Sequence, residues 1–213
     1  MSQILFSSQK KYLESFRKEE NDLINKMEQF AIEHHVPILN WHAADFVEKL
    51  IQINKPNRVL EIGTAIAYTT IRIAKCLKKD SVIHTIEKSE DNIKIALENI
   101  EKSGLSKKIK LIQGDALSVM PQLRKKYDFV FLDADKEDYK RLFNYSMILL
   151  RKGGIVVVDN LLWHGYTASK RVPEKYSKST KHIRDFNKLF ILQQNLDSMI
   201  IPIGDGMGLG IKR

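Results

Sequence analysis

Between Arg58 and Val158, short apolar runs alternate with amphipathic stretches, and this alternation limits the possible folds more than any other feature of the chain. Arg58–Ile62, Val82–Ile86, Ile109–Ile112, Phe129–Leu132 and Ile155–Val158 are too short and too evenly apolar for helices; they read as strands buried on both faces. Between them, Ile66, Thr70, Ile73 and Leu77, and then Ile93, Ala96, Leu97 and Ile100, recur at helical spacing. Gly104 stops the second helix, a short helix leads to Leu123, and Tyr139–Leu150 forms another, closed by Gly153 and Gly154. Strand–helix repetition with right-handed crossovers gives an α/β fold with a doubly wound, mostly parallel sheet.

The flanks follow other rules. Leu13, Phe16, Leu23, Met27 and Phe30 form one apolar stripe that Pro37 ends, and Ala43, Phe46, Val47, Leu50 and Ile51 form a second. Asn54–Asn57 is a break. Leu161–Lys178 is polar, basic and loop-like, and Ile183–Leu192 is helical. Ser198–Pro202 and Met207–Lys212 flank a Gly-Asp-Gly turn and read as a hairpin. With no linker in sight, residues 1–213 are expected to form one domain: a helical cap over 1–55 and a core over 56–213 carrying a basic loop at 161–178.

Hydrophobic residues make up 43% of the chain and charged residues 29%, which excludes a disordered or collagen-like protein. The apolar runs Met147–Leu150 and Gly153–Val158 are far shorter than a membrane span, and Met1–Lys11 lacks the apolar core of a secretory signal. The single Cys76 reads as a small buried hydrophobe. A reducing cytoplasmic location and no membrane partner are the expectation. The net charge of +9 suits a polyanionic partner as well as it suits general lysine decoration of the surface.

Ligands of an open α/β sheet bind at the carboxyl ends of its strands. Acidic side chains stand at or just past the end of all five strands here: Glu61, Glu87, Asp115, Asp133 and Asp159. Gly63 follows the first strand, but the Gly-x-Gly-x-x-Gly of a nicotinamide site is absent. An acid beside a lone glycine suits an amino-bearing, cationic ligand such as S-adenosylmethionine better than a phosphate. Glu87 is placed to accept from ribose hydroxyls, and Asp115 either accepts from an adenine amino group or caps a helix. Asp133, Asp159 and Asn160 are hard oxygen donors on turns expected to be neighbours, suited to Mg²⁺ or Mn²⁺; two separate helix caps are the plainer alternative. Lys136, beside such a cation and a sulfonium, would have a lowered pKa and act as a general base.

Together, Glu33–Ile38, Leu60–Tyr68, Asp133–Lys136, Asp159–Asn160 and Ile201–Gly206 resemble the cation-dependent O-methyltransferases, the group that includes the catechol and caffeoyl-CoA enzymes. The likeness is nearest to the bacterial tRNA 5-hydroxyuridine branch. The resemblance implies a seven-stranded Rossmann-like methyltransferase sheet with an antiparallel last strand and N-terminal helices, and commonly a homodimer. It implies Asp133, Asp159 and Asn160 as metal ligands and Asp133 and Lys136 as catalytic residues. Leu39, Glu61, Gly63, Thr69, Glu87, Ala116, Asp133 and Asp135 are implied around S-adenosylmethionine, with Asp115 added from its position. The family usually has glycine where this chain has Ala67, so a methyl group is expected to crowd the helix start or the cofactor's amino-acid end.

The expected reaction joins a chelating acceptor hydroxyl to the sulfonium methyl. 5-Hydroxyuridine in a tRNA anticodon loop fits, because its O5 hydroxyl lies beside the O4 carbonyl. Trp163, His164 and Tyr166 would frame a splayed base, and Arg171 belongs to a run from His164 to Lys188 with seven Lys/Arg against Glu174 and Asp185. The alternatives are a small catechol or phenol substrate, an RNA-binding module without catalysis and, more remotely, a nicotinamide oxidoreductase.

Overall fold

The computed structural model describes residues 6–18 and 21–213. Seven strands form one sheet: β1 Arg58–Ile62, β2 Val82–Glu87, β3 Ile109–Gln113, β4 Tyr127–Leu132, β5 Leu150–Val158, β6 Leu196–Ile201 and β7 Met207–Lys212. Their order is β3-β2-β1-β4-β5-β7-β6, and β7 runs antiparallel to both of its neighbours. The helices are α1 Ser7–Glu14, α2 Asp22–Glu33, α3 Trp41–Asn54, α4 Tyr68–Cys76, α5 Glu90–Lys102, α6 Ala116–Val119, α7 Tyr139–Leu149 and α8 Glu174–Leu192. Among the described residues no helix is long and apolar enough to cross a membrane.

Alternation along the central strands divides the core between the two faces. Val59, Phe129, Phe131 and Val157 pack with α2 to α5, whereas Leu60, Ile62, Val130, Leu132, Val156 and Val158 pack with α7 and α8. Register aligns the carboxyl edge: Ile62 pairs with both Ile86 and Leu132, and Leu132 pairs with Val158. Glu87, Gly63, Asp133 and Asp159 therefore sit at one rim, around the switch point between β1 and β4.

Three expectations need correction. The stripe from Leu13 to Phe30 is two helices, because the Asn21 side chain accepts the Ile24 N–H at 3.0 Å and starts α2 anew. Phe16 falls between the two and is 64% exposed, and residues 19 and 20 of that stretch lie outside the described residues, as do residues 1–5 of the Met1–Lys11 segment. The basic segment 161–178 is a loop only as far as Pro173, after which Glu174–Lys178 opens α8. That first turn is solvated and polar, so it carries no apolar stripe to reveal it. Gly153 and Gly154 lie inside β5 rather than between elements, and the β4–β5 register shifts between Tyr127 and Phe129.

Candidate active site

A cavity of about 890 Å³ opens at the carboxyl rim, bordered by the ends of β1 to β5, by Pro37 and Ile38 before α3, and by Ser179 of α8. Gly63, Glu87, Asp115, Ala116, Asp133, Asp135, Lys136, Asp159, Asn160, Trp163 and His164 line it. Of the candidate residues, Leu39, Glu61, Thr69, Tyr166 and Arg171 are not among its lining. Leu39 belongs to the core, and Arg171 is exposed on the loop before α8. Glu61 shares the strand face of Val59, fully buried; there it accepts from the Thr70 hydroxyl, leaving Oε1 without a hydrogen-bond partner. Burial pushes this carboxyl up to about 8 despite the hydroxyl donation.

Gly63 owes its identity to the protein itself. Its φ is +97°, and a Cβ there would lie 1.8 Å from the Asp133 carbonyl oxygen. The close approach that the sequence suggested for a ligand is thus made by the neighbouring strand end. Ala67 occupies the left-handed region at φ +67° as the N-cap of α4, fully buried in the core and away from the cavity lining.

At the β2 side of the cavity, the Glu87 carboxylate is fixed by three backbone donors: Ala65 N–H at 2.8 Å, and Lys88 and Ser89 N–H at 2.9 Å each. Asp115 caps α6, accepting from Leu117 N–H at 2.7 Å, and also lines the cavity, so capping does not take it away from the site. Asp135 pairs with Lys88 at 2.5 Å, joining the ends of β2 and β4.

On the other side, Lys136 gathers the chemistry. Its Nζ donates to Asn160 Oδ1 at 2.6 Å, to the Tyr139 hydroxyl at 2.6 Å and to Asp133 Oδ1 at 2.9 Å. The same Nζ lies 5.8 Å from the Trp163 ring centroid. The Tyr139 hydroxyl in turn donates to the Asp159 carbonyl at 3.0 Å. The sequence reading put a lowered lysine beside a cation and a sulfonium; the protein's own neighbours act in the other direction. Burial pulls Lys136 down, yet Tyr139 and Asp133 outweigh it and hold the ammonium above its ordinary range. Asp159 is buried with Oδ1 unpartnered, and burial together with the Asp133 charge pushes its carboxyl up to about 8.

These residues suit a cation. A buried carboxyl whose ionisation is made costlier by burial and by a neighbouring carboxylate, an orphaned buried oxygen and an amide oxygen already turned to a positive charge are hard donors suited to one. Among the described residues no group of three or more His, Cys, Asp or Glu side chains could hold a metal, so the candidate set depends on the amide of Asn160.

Sequence reasoning did not single out two further residues here. Tyr139 read only as a helix start. Asp205, in the β6–β7 turn, accepts the His164 N–H at 2.6 Å; it entered the sequence reading only within the Gly-Asp-Gly turn and the Ile201–Gly206 segment, with no role of its own. Trp163, His164, Tyr166 and Tyr176 form an aromatic cluster, with Tyr166 and Tyr176 stacked at 5.1 Å. Asn160, Trp163 and His164 all hold positive φ, a concentration of strain at the rim. Arg184, counted with the basic run, bonds the carbonyls of Tyr166, Thr167 and Ser169 and so holds the loop.

Comparison with known proteins agrees with this geometry. The O-methyltransferase family profile matches residues 14–213. Caffeoyl-CoA O-methyltransferase of Populus kitakamiensis is 32% identical over 172 residues, covering 77% of this chain and 73% of that protein. Catechol O-methyltransferase of Niastella koreensis is 27% identical over 222 residues, covering 99% of each chain. The crystal structure of the O-methyltransferase TomG of Streptomyces achromogenes, involved in tomaymycin synthesis and bound to S-adenosylmethionine, superposes with a TM-score of 0.84 at 26% identity, covering 96% of each chain. The chain belongs to the O-methyltransferase family and is an S-adenosylmethionine-dependent O-methyltransferase.

Proposed function

We propose that the enzyme is divalent-cation-dependent and methylates the 5-hydroxyl of 5-hydroxyuridine at a tRNA wobble position, giving 5-methoxyuridine. The observation that carries the metal-site reading is the meeting of Asp133, Lys136 and Asn160 through one ammonium, with buried Asp159 beside them. Asp133, Asp159 and Asn160 would hold Mg²⁺ or Mn²⁺. A cation so held supplies Lewis acidity that lowers the pKa of an acceptor hydroxyl.

The chain's own residues supply the rest. Glu87, its carboxylate immobilised by three amides, is placed to accept from ribose hydroxyls, and Asp115 and Ala116 border the base. Lys136 holds its proton while bonded to Asp133, Asn160 and Tyr139; as a neutral base it keeps two N–H donors and must give up one of the three contacts to free its lone pair. The Trp163 ring lies over this ammonium, its centroid 5.8 Å from Nζ. Positioning of this kind supplies about 7–11 kcal/mol in well-oriented systems.

The RNA part of the proposal is supported by the cavity mouth. Trp163 and His164, both on the lining, offer ring faces on which a splayed base stacks, worth about 1–3 kcal/mol per base. Exposed Lys170, Arg171, Lys175 and Lys181 lie on the adjoining loop and on α8, where phosphates would pass. Lys178 is paired with Glu137 at 2.8 Å and adds less. A small catechol acceptor is the second reading, favoured by the named activities of the relatives. Labelled S-adenosylmethionine, offered with a hydroxyuridine-bearing tRNA and with catechol, decides between them. Methylation of the tRNA supports the proposal, and methylation of catechol alone rejects it in favour of the second.

A further inference from the structure

Parallel register sorts charge as well as apolar residues. The five parallel strands lie side by side in the order β3-β2-β1-β4-β5. Their carboxyl ends carry the acids of the cavity, and their amino ends carry cations. Each has at least two Lys or Arg at or near its start, within 55–58, 78–79, 107–108, 124–126 and 151–152. These make eleven cations against two acids, Asp80 and Asp128.

General lysine decoration would look different, because elsewhere the surface pairs its cations. On α5, Lys94 lies 3.7 Å from Asp91 and Lys102 lies 3.4 Å from Glu98. At the amino rim, among the described residues, only Arg151 has an acid partner, Asp128 at 2.6 Å. Lys108 and Lys126 bond the Leu77 and Ile148 carbonyls, which orients them without cancelling their charge. Asp128 is committed to the fold, since its Oδ2 accepts Asn57 N–H at 2.9 Å and Arg58 N–H at 2.8 Å.

A cavity of about 310 Å³ opens at this rim, between Asn54–Asn57 and Arg151–Gly154, with Asp128 on its wall. Lys55 and Lys152 suit a phosphate there. The Asn54 side-chain oxygen, buried without a hydrogen-bond partner, calls for a donor that a phosphodiester lacks. A ribose 2′-hydroxyl supplies one beside each phosphate. A single phosphate would fill the cavity and leave the rest of the rim unmatched. Neighbouring strands stand about 4.8 Å apart, so the cationic row from β3 to β5 runs about 19 Å. The ligand that matches it is a polymer of regularly spaced negative charges.

We propose that the amino rim of the sheet is a binding surface for the ribose-phosphate backbone of RNA, anchored in the cavity between Lys55 and Lys152. β1 is five residues long, which sets this surface about 17 Å from the opposite, carboxyl rim. It is a second site, and it does not depend on which hydroxyl the cavity at the carboxyl rim methylates.

The test is fluorescence anisotropy with a labelled single-stranded oligoadenylate, which has no uridine and so cannot be the proposed methyl acceptor. The variant combines Lys55→Gln, Lys125→Gln and Lys152→Gln, and its S-adenosylhomocysteine affinity, within about twofold of wild type, is the folding control. Oligoadenylate affinity at low salt is expected to fall about 10-fold or more. The plot of log affinity against log salt becomes shallower by about 2, since each phosphate contact to a single strand is worth about 0.7. Unchanged affinity and slope overturn the proposal, whether the strand is held at Lys170, Arg171 and Lys175 instead or is not bound at all. The deoxy strand of the same sequence is expected to bind wild type more weakly, and equal affinity overturns the assignment to RNA. Phosphatidylserine vesicles that wild type binds and the variant releases, with oligoadenylate binding unaltered, assign the rim to a membrane and overturn it too. Should the triple variant lose S-adenosylhomocysteine, Lys152→Gln alone decides, with an expected slope change of about 0.7.

Discussion

Lys136 Nζ stands 2.6 Å from the side-chain oxygen of Asn160. An ammonium thus competes for the donors that would receive a divalent cation, and it pays for its burial with three hydrogen bonds. Lys136→Met removes both the proton acceptor and the competitor. Turnover is expected to fall by about 10²–10⁴-fold, while Mn²⁺ affinity stays the same or rises. Single-turnover rates and calorimetry check this, and an unchanged rate across the whole pH range takes Lys136 out of the mechanism.

Asp159 is the donor whose burial leaves it most dependent on a partner. Asp159→Ala is expected to abolish Mn²⁺ binding and turnover together. S-adenosylhomocysteine affinity should stay within about twofold, since the acid lies on the Lys136 side of the cavity rather than beside Glu87. Equilibrium dialysis measures both ligands, and wild-type Mn²⁺ binding in this variant would contradict the donor assignment.

Ala67 bears a left-handed backbone at φ +67°. A Cβ in that conformation costs about 1–2 kcal/mol, against about 0.8 kcal/mol gained by burying its methyl group. The strain is the larger effect, so Ala67→Gly should stabilise the fold by about 0.5 kcal/mol. For a domain of this size that raises Tm by about 1–2 °C. A lower Tm in differential scanning calorimetry would show that packing dominates at the α4 start.

Glu61 gives the fold a pH dependence of unusual sign. Its folded pKa is raised to about 8, so between the ordinary glutamate value and that point the folded state binds more protons than the unfolded one. Its contribution is fully present below the unfolded pKa and is lost as pH rises toward 8, at up to about 1.4 kcal/mol per pH unit. Glu61→Gln should flatten denaturation midpoints across that window. An unaltered slope in urea titrations at several pH values would place the effect elsewhere.

The sheet was legible because parallel strands buried on both faces are continuous apolar runs; the first four were read to within two residues of their bounds, and β5 begins five residues earlier than its apolar run. The acids at the strand ends were legible for the same reason, since register carries them to one rim. What escaped has no period to read. The first turn of α8 shows solvent a polar face, and Asn21 is one cap inside an otherwise unbroken stripe. Glu61 looked like a cavity acid from its place after Leu60, but strand alternation turns it to the α4 side, against Thr70. The raised pKa of Lys136 depends on the Tyr139 hydroxyl, one helical step away, which patterning treats as core. Asp205 reaches the site only because β7 inserts between β5 and β6.

The central claim is that methyl transfer requires a cation held by Asp133, Asp159 and Asn160. The most direct measurement is transfer of labelled methyl to hydroxyuridine-bearing tRNA and to catechol after exhaustive chelation, then after Mg²⁺ is restored. We predict that transfer is lost on chelation, returns with Mg²⁺ in the wild-type enzyme and does not return in Asp159→Ala. Transfer that continues undiminished in the chelated wild-type enzyme would contradict the account.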